Sequence, residues 1–275
     1  MLIDLLHSLV KRRFSRLGIC SKILESEQCT IHYYESGREQ PRTLVLLHGL
    51  GTSSSTWVNI LPRLVKTFHI IAIDLPGFGT SFLKDGQAYA GLNKMSDILV
   101  ETLPAIASKP FTLVGHSLGG WLAMDYALRS PVFVQQIILI NTAGIHYDGI
   151  EEQRRLFEIT NLGSLYLLLN RLWLQYPWYF KPFAPAILSD LKKRKVAEFV
   201  RSIEQKDFLN DRLGSLKPPV HLIWGSDDAV ISAETVQILN AALPGLSVRY
   251  IERCGHVPQL ERPGELIRIL DEILL

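Results

Sequence analysis

Several features that define particular protein classes are scarce in this sequence. It has three cysteines in 275 residues, which is too few for a disulfide framework, and we expect Cys20, Cys29 and Cys254 to be free thiols. It has no run of about 18 uncharged apolar residues, so no membrane-spanning helix is predicted. Its formal net charge is only +2, which gives no overall attraction to nucleic acid. With 47% hydrophobic and 20% charged residues, the chain has the composition of a globular enzyme.

Short apolar runs recur along the chain, and most of them do not alternate with polar residues. Strands that are apolar on both faces belong to parallel sheets covered by helices, so an α/β fold is predicted. Two earlier strands, near residues 19–25 and 29–34, add antiparallel pairing at the beginning, for a mostly parallel sheet of about eight strands. The six apolar runs are residues 44–47, 70–73, 111–114, 137–140, 220–224 and 246–251.

One interval between these runs is far longer than the others. The runs that begin at residues 137 and 220 start 83 positions apart, whereas the other intervals are 26 or 41. A crossover between parallel strands does not need that length, and a structureless loop of that size is improbable. We therefore predict a core of residues 19–144 and 216–275, interrupted after the sixth strand by a helical cap of residues 145–215. Aromatic residues crowd its segment 173–185, which favours a lid with an apolar underside.

Residues 1–18 predict an amphipathic N-terminal helix with a basic end. Apolar residues fall on one stripe, and four cations follow them. Two interpretations stay open: a terminal helix packed on its own core or on a partner, and a helix whose residues 1–17 lie on an anionic membrane surface. The order of apolar and charged residues is wrong for a cleaved secretory signal, so we expect a cytoplasmic protein, with or without peripheral membrane contact. The cations are Lys11, Arg12, Arg13 and Arg16.

The segment FTLVGHSLGG, residues 111–120, predicts a strand, a sharp turn and a helix. Ser117 stands at the turn, with Gly115 two residues before it and Gly119 two residues after it. Such glycines let neighbouring elements approach closely, while the strained turn holds the serine hydroxyl outward. The pattern is therefore typical of a nucleophile. His116 belongs to the same supporting turn.

A serine needs a base to remove its proton, and the base needs an acid to orient it. His256 lies after the last apolar run, in a loop with glycine before it and proline two residues later. Asp227 and Asp228 follow the apolar run 220–224, and from this position alone either carboxylate fits the role of the acid. The order serine, acid, histidine is the one described for this architecture.

The oxyanion of an acyl-transfer reaction needs preorganised donors, and two backbone amides are candidates. One is the amide of Leu118, which follows the nucleophile at a helix N-terminus. The other is the amide of Leu50 in the turn of His48, Gly49, Leu50 and Gly51, which follows an apolar run. A phosphate-binding loop is the rival interpretation, but the sequence has neither GK[ST] nor GxGxxG.

At these residues the sequence resembles the α/β-hydrolases of the esterase and lipase group. The matching segments are HGLG at 48–51, DLPGFGTS at 74–81, GHSLGG at 115–120, WGSDD at 224–228 and GHVPQLERP at 255–263. The resemblance implies that Asp228 is the acid and that Asp74 belongs to a structural turn. Relatives that open epoxides or displace halide use aspartate as the nucleophile, so Ser117 argues against those reactions.

The resemblance implies a carboxylic ester hydrolase that acts on hydrophobic acyl esters through an acyl-enzyme. Two alternatives stay open: a carbon–carbon bond hydrolase of dienone acids, and a non-catalytic protein that binds an apolar ligand on the same fold. No metal or organic cofactor and no nucleic-acid partner is expected. The oligomeric state is not predicted.

Overall fold

The sheet at the centre of the molecule is mostly parallel. The computed structural model describes the backbone of residues 2–275 and the side chains of residues 8–275. In these residues the strands are β1 Cys20–Glu25, β2 Cys29–Ser36, β3 Thr43–Leu47, β4 His69–Ile73, β5 Phe82–Leu83, β6 Phe111–His116, β7 Val134–Ile140, β8 Val220–Gly225 and β9 Ser247–Ile251.

The strand order is β1-β2-β4-β3-β6-β7-β8-β9, and β5 pairs with β2 off this path. Strand β2 pairs antiparallel with β1, β4 and β5. All other neighbouring pairs, along the order β4-β3-β6-β7-β8-β9, are parallel. The predicted mostly parallel sheet is therefore confirmed. The sequence pattern missed β5, because two residues are too short to show a period. For that reason the inserted helices follow the seventh strand of the structure, which is the sixth of the predicted strands.

Helices cover both faces of the sheet. Strand β3 shows why its sequence does not alternate: Leu44 and Leu46 pack into one apolar cluster, and Val45 and Leu47 pack into the other. Both faces are buried, so every position is apolar. The described helices are α1 Leu2–Arg16, α2 Leu61–Leu64, α3 Leu92–Ile106, α4 Leu118–Arg129, α5 Ile150–Arg155, α6 Leu162–Leu172, α7 Ala184–Lys193, α8 Val196–Arg201, α9 Glu234–Ala242, α10 Pro258–Glu261 and α11 Pro263–Leu274.

The segment between β7 and β8 contains α5 to α8, within the residues 145–215 for which the spacing predicts a cap. The sequence pattern predicts one helix over residues 188–206, but the structure has two, α7 and α8. Lys195 separates them in the left-handed backbone region, with φ of 51°. A non-glycine residue with positive φ cannot continue a right-handed helix, so the chain turns at this point.

Helix α1 packs on the protein through its second half. Phe14 is fully buried and lies edge-on to Tyr34 at 4.8 Å between ring centroids, and Val10 packs against the same cluster. The four cations of this helix are exposed. The predicted apolar residues Leu2, Ile3 and Leu6 lie outside the described side chains. None of the helices in the described residues is long and apolar enough to span a membrane.

The turn between β6 and α4 depends on two glycines. A Cβ at Gly119 would clash with the carbonyl oxygens of Leu47 and His48, and a Cβ at Gly115 would clash with the backbone of Gly119 and Gly120. Backbone atoms cannot move aside as a flexible side chain can. These glycines therefore allow the helix to begin directly against the ends of β3 and β6.

We expect Gly119→Ala to lower the free energy of unfolding by about 1–3 kcal/mol, because the added methyl group overpacks rigid backbone. The measurement is urea unfolding followed by circular dichroism. Gly264→Ala in α11 is the matched control, since a Cβ there meets nothing within 4 Å. Its stability should be unchanged or slightly higher. Equal stability of the two variants would contradict this steric account of the turn.

Candidate active site

Ser117 occupies a strained turn at the carboxyl end of β6. Its backbone has φ of 54° and ψ of −118°, which a non-glycine residue rarely adopts. Four backbone hydrogen bonds hold it: its amide donates to Ile140, and its carbonyl oxygen accepts from Gly120, Trp121 and Ala143. The Ser117 side chain lines two cavities, described below. The surrounding backbone therefore presents the hydroxyl to space that a substrate can enter.

His256 and Asp228 form a buried pair in the loops that follow β9 and β8. The His256 Nδ1–H donates to Asp228 Oδ2 at 2.8 Å. The other oxygen, Oδ1, accepts from the amides of Val230 and Ile231 at 2.8 and 3.1 Å. His256 lines the larger cavity together with Ser117. The structure thus brings the predicted base and acid together, at the edge of the sheet where the carboxyl ends of the parallel strands and Ser117 lie.

Asp227 points elsewhere. Its carboxylate accepts from the hydroxyl of Ser226 and is exposed, and its amide donates to the carbonyl of Cys254. Only Asp228 among the two acids contacts His256 in the described structure. Position in the sequence left both open, because neighbouring residues in a turn point in different directions.

Asn141 is a site residue that the sequence reasoning missed. It is fully buried, and its Nδ2 donates to Asp228 Oδ2 at 2.5 Å while its Oδ1 accepts from the amide of Gly225 at 3.2 Å. Its φ of 44° aims the side chain back across the ends of β7 and β8. The available signal was an asparagine directly after the apolar run 137–140, at the edge of the sheet where parallel strands end.

These contacts keep Asp228 ionised. Burial alone raises the pKa of a carboxyl group, but the charge and hydrogen bond of His256, together with the donors Asn141 and Ile231, hold the pKa of Asp228 below its ordinary value. An ionised carboxylate accepts hydrogen bonds only. It therefore fixes a proton on His256 Nδ1 and leaves Nε2 as the nitrogen that can take a proton.

His116, beside Ser117, makes contacts through its side chain as well as its backbone. Its Nε2–H donates to the carbonyl oxygen of His256 at 2.8 Å, and Gln259 approaches its Nδ1 at 3.4 Å. Burial, and then the nearby His256, lower the pKa of His116 to about 3, so the ring is neutral at physiological pH. The ring ties the turn that carries Ser117 to the loop that carries His256.

His48 plays a similar part in the other predicted turn. Its Nε2 accepts from the amide of Leu75 at 3.0 Å, and its Nδ1–H donates to the carbonyl oxygen of Gly49 at 2.8 Å. Burial lowers the pKa of His48 to about 4. Asp74, the residue before Leu75, accepts from His32 Nδ1–H at 2.8 Å and from the hydroxyl of Ser54 at 2.5 Å, and these contacts lower its pKa to about 2 although burial opposes this. Asp74 therefore stabilises the loop and does not face the cavity.

The two predicted oxyanion donors lie beside Ser117. Leu50 and Leu118 line the smaller cavity with Ser117, and in the described chain neither amide donates to another protein group. A Cβ at Gly49 would lie 2.8 Å from His116 Nδ1 and 3.2 Å from Ser117 Cβ. Because residue 49 is a glycine, this turn packs directly against Ser117. The free amide of Leu50 in the turn can then donate to a negative charge that develops there.

The segment between β7 and β8 is joined to the histidine loop by one backbone hydrogen bond and by the side chain of Glu261. The amide of His256 donates to the carbonyl oxygen of Leu172, at the end of α6, at 2.9 Å. Glu261 accepts from the amide of Gly255 at 3.0 Å and from the amide of Leu174 at 2.9 Å. One carboxylate thus holds both the loop that carries His256 and the segment that begins the aromatic stretch.

Two apolar cavities meet at Ser117. The larger has about 1110 Å³ of empty space and the smaller about 590 Å³, both including the part open to solvent. Leu50 and Phe157 line both. Side chains of residues 145–215 form most of the wall of the larger cavity: Phe157, Ile159, Leu165, Leu168, Leu169, Leu172, Trp173, Tyr176, Phe180, Ile187, Leu191 and Val196.

Two similar proteins span most of the chain. A monoacylglycerol lipase of Mus musculus is 26% identical over 281 residues, which cover 94% of this chain and 83% of the lipase. The crystal structure of a membrane phospholipase A, described as a bacterial virulence factor, is 26% identical and has a TM-score of 0.87 over 99% of this chain and 91% of that chain.

A third similar protein is a solved structure of lower sequence identity. The 2-hydroxy-6-oxo-6-phenylhexa-2,4-dienoate hydrolase of Rhodococcus sp. strain RHA1 is 22% identical, with a TM-score of 0.79 over 92% of this chain and 98% of that chain. At this identity the likeness shows the fold alone.

The family model extends over seven of the nine described strands, β3 to β9. It is the model of the alpha/beta hydrolase family, and it matches residues 44–269, a range that begins in β3 and ends in α11. This range includes the turn at Ser117, the acid loop after β8 and the histidine loop after β9. The chain belongs to the alpha/beta hydrolase family.

Proposed function

We propose that this protein hydrolyses carboxylic esters with apolar acyl groups. The observation that carries the proposal is the buried pair of Asp228 and His256, whose histidine lines an apolar cavity together with Ser117. A serine on a strained turn, a histidine oriented by a carboxylate and two free amides are the parts that acyl transfer requires. The fold alone would not support this, since α/β folds carry many functions.

In the proposed mechanism His256 takes the hydroxyl proton of Ser117 as the oxygen attacks the ester carbonyl. The tetrahedral oxyanion is held by the amides of Leu50 and Leu118, and the positive end of α4 adds to its stabilisation. His256 then protonates the departing alcohol. Water attacks the acyl-enzyme by the same proton path in reverse, while Asp228 stays ionised and stabilises the imidazolium.

The cavity lining supports an apolar acyl group. None of the described residues that line the larger cavity is a lysine, arginine, aspartate or glutamate. An alkyl chain gains from leaving water there, at about 0.8 kcal/mol per buried methylene. The names of the similar monoacylglycerol lipase and phospholipase A point to the same chemistry, the hydrolysis of a lipid ester.

The same lining disfavours the carbon–carbon hydrolase. A dienone acid carries a carboxylate that needs a cationic partner when it is buried. Arg154 lines the smaller cavity, but its guanidinium already donates to Glu151 and to the carbonyl oxygens of Val200 and Ile203. An uncharged ester meets no such requirement.

Peripheral membrane contact through residues 1–17 stays a prediction, as do the cytoplasmic location and the absence of a nucleic-acid partner. The described part of α1 has both an apolar side chain packed on the protein and the predicted group of cations. Phe14 is buried in the core, and Lys11, Arg12, Arg13 and Arg16 face solvent.

Replacing the nucleophile tests the mechanism directly. Ser117→Ala should lower kcat for p-nitrophenyl butyrate by at least about 10⁴-fold, because no acyl-enzyme can form. A fluorophosphonate probe should label the parent protein and leave the variant unlabelled. A parent protein that neither turns over esters nor reacts with the probe would favour the non-catalytic apolar-ligand binder.

Replacing each of the two neighbouring aspartates by asparagine separates a catalytic role from a structural one. Asp228→Asn should lower kcat by about 10³-fold or more, because an amide no longer holds His256 in the required tautomer or stabilises its charge. Asp227→Asn is the matched control and should keep activity within about threefold. Measured pre-steady-state acylation rates, with folding checked by circular dichroism, decide the assignment; loss confined to Asp227→Asn would overturn it.

Narrowing the larger cavity should change chain-length preference. Leu169→Trp should lower kcat/KM for p-nitrophenyl decanoate at least about tenfold relative to the acetate, because the indole fills space that a long acyl chain needs. Leu167→Trp, two residues earlier on α6, is the control, since Leu167 is 54% exposed and does not line the cavity. A uniform loss across all chain lengths in Leu169→Trp would contradict this placement of the acyl group.

A further inference from the structure

The cap carries large side chains that face solvent. In the segment of residues 173–183, Trp178 is 76% exposed, Tyr179 is 57% exposed and Leu174 is 41% exposed. The rings of Trp178 and Tyr179 lie 6.1 Å apart and edge-on. Isolated apolar side chains are common on surfaces, but an exposed aromatic pair beside an exposed leucine is a patch that marks an interaction site.

The same segment reaches from this patch to the larger cavity. Tyr179 lies 5.0 Å from Phe180 between ring centroids, and Phe180 lies 6.1 Å from Trp173 and 6.5 Å from Tyr176. Phe180, Trp173 and Tyr176 line the cavity that contains Ser117. A continuous aromatic surface therefore runs from solvent to the wall of the substrate cavity.

Cations border the exposed patch. Lys181 is exposed in the same segment, and Arg253 and Arg262 line a shallow cleft together with Leu174 and Tyr179. The carboxylate that also lines this cleft, Glu261, accepts from the amides of Leu174 and Gly255 and so faces the backbone. The patch thus combines amphipathic aromatic rings with positive charge.

We propose that this surface docks onto a bilayer that contains anionic phospholipid. We call it the cap-tip surface, and it consists of Leu174, Trp178, Tyr179, Lys181, Arg253 and Arg262. Trp and Tyr rings prefer the level of the lipid headgroups, where one end is apolar and the other is wet, and lysine and arginine are attracted to anionic headgroups. The cap-tip surface presents both features at one place.

Docking at the cap-tip surface gives a lipid ester a route to Ser117. An acyl chain that leaves the bilayer beside Trp178 and Tyr179 meets Phe180 next, and then the apolar walls formed by Trp173 and Tyr176. It does not have to cross water. This consequence rests on the proposed ester hydrolysis, whereas the docking itself requires no turnover.

Vesicle co-sedimentation tests the docking. The full-length chain carrying Ser117→Ala is mixed with vesicles of phosphatidylcholine alone or of phosphatidylcholine with phosphatidylglycerol, so that no lipid is consumed. We expect binding to the anionic vesicles, weakening as salt is raised. Adding Trp178→Ala and Tyr179→Ala together should weaken that binding at least about tenfold, and Lys181→Glu with Arg253→Glu should remove the preference for anionic vesicles.

The matched control removes two other exposed aromatic side chains. Phe82 is 56% exposed on β5 and Tyr250 is 53% exposed on β9, so Phe82→Ala with Tyr250→Ala loses similar aromatic area away from the cap. This control should bind vesicles as the parent does. Absent binding by the parent, or equal binding by the control and the cap-tip variant, overturns the proposal. A parent dimer that becomes a monomer only in the cap-tip variant, measured by light scattering, also overturns it and assigns the surface to a second copy of this chain.

Activity measurements separate this proposal from the proposed function. In the chain with native Ser117, Trp178→Ala with Tyr179→Ala should keep turnover of soluble p-nitrophenyl butyrate within about twofold, because neither side chain lines the cavity. Hydrolysis of a long-chain ester held in anionic vesicles should fall at least about tenfold. Vesicle binding that depends on the cap-tip surface in a protein without any esterase activity would support docking and refute the ester hydrolysis.

Discussion

The turn at Ser117 exists only because glycines let backbone meet backbone. Gly119 packs on the carbonyl oxygens of Leu47 and His48, and Gly49 packs on His116 and on Ser117 itself. These approaches bring the end of β3, the end of β6 and the start of α4 into one small volume. Ser117 and both candidate oxyanion amides therefore lie together because of a packing constraint.

Two buried carboxylates hold the loops around that turn. Asp228 accepts from His256, Asn141, Val230 and Ile231 and so fixes the position of the base. Asp74 accepts hydrogen bonds from His32 and Ser54 and so stabilises the loop that contacts His48. Both stay ionised because their donors outweigh the cost of burial. One carboxylate touches the proposed catalytic base, whereas the other acts only through the shape of the loop.

The helical segment between β7 and β8 contributes residues to the candidate site itself. Leu172 accepts from the amide of His256, and Glu261 holds both Leu174 and Gly255. The aromatic segment that starts there lines the larger cavity on its inner side and exposes Trp178 and Tyr179 on its outer side. The position of the proposed base and the shape of the cavity are therefore coupled through a few hydrogen bonds.

The sequence by itself determined the mostly parallel sheet, because runs such as 44–47 are apolar at every position and only a sheet buried on both faces requires that. It also placed the turn of Ser117 and the loop of His256, since glycine and proline mark such turns locally. It could not place Asn141, the side-chain roles of His48 and His116, or the break at Lys195. It also could not choose between Asp227 and Asp228 without the family resemblance. Those features depend on contacts between residues that lie far apart in the chain, and only the tertiary structure brings such residues to hydrogen-bonding distance.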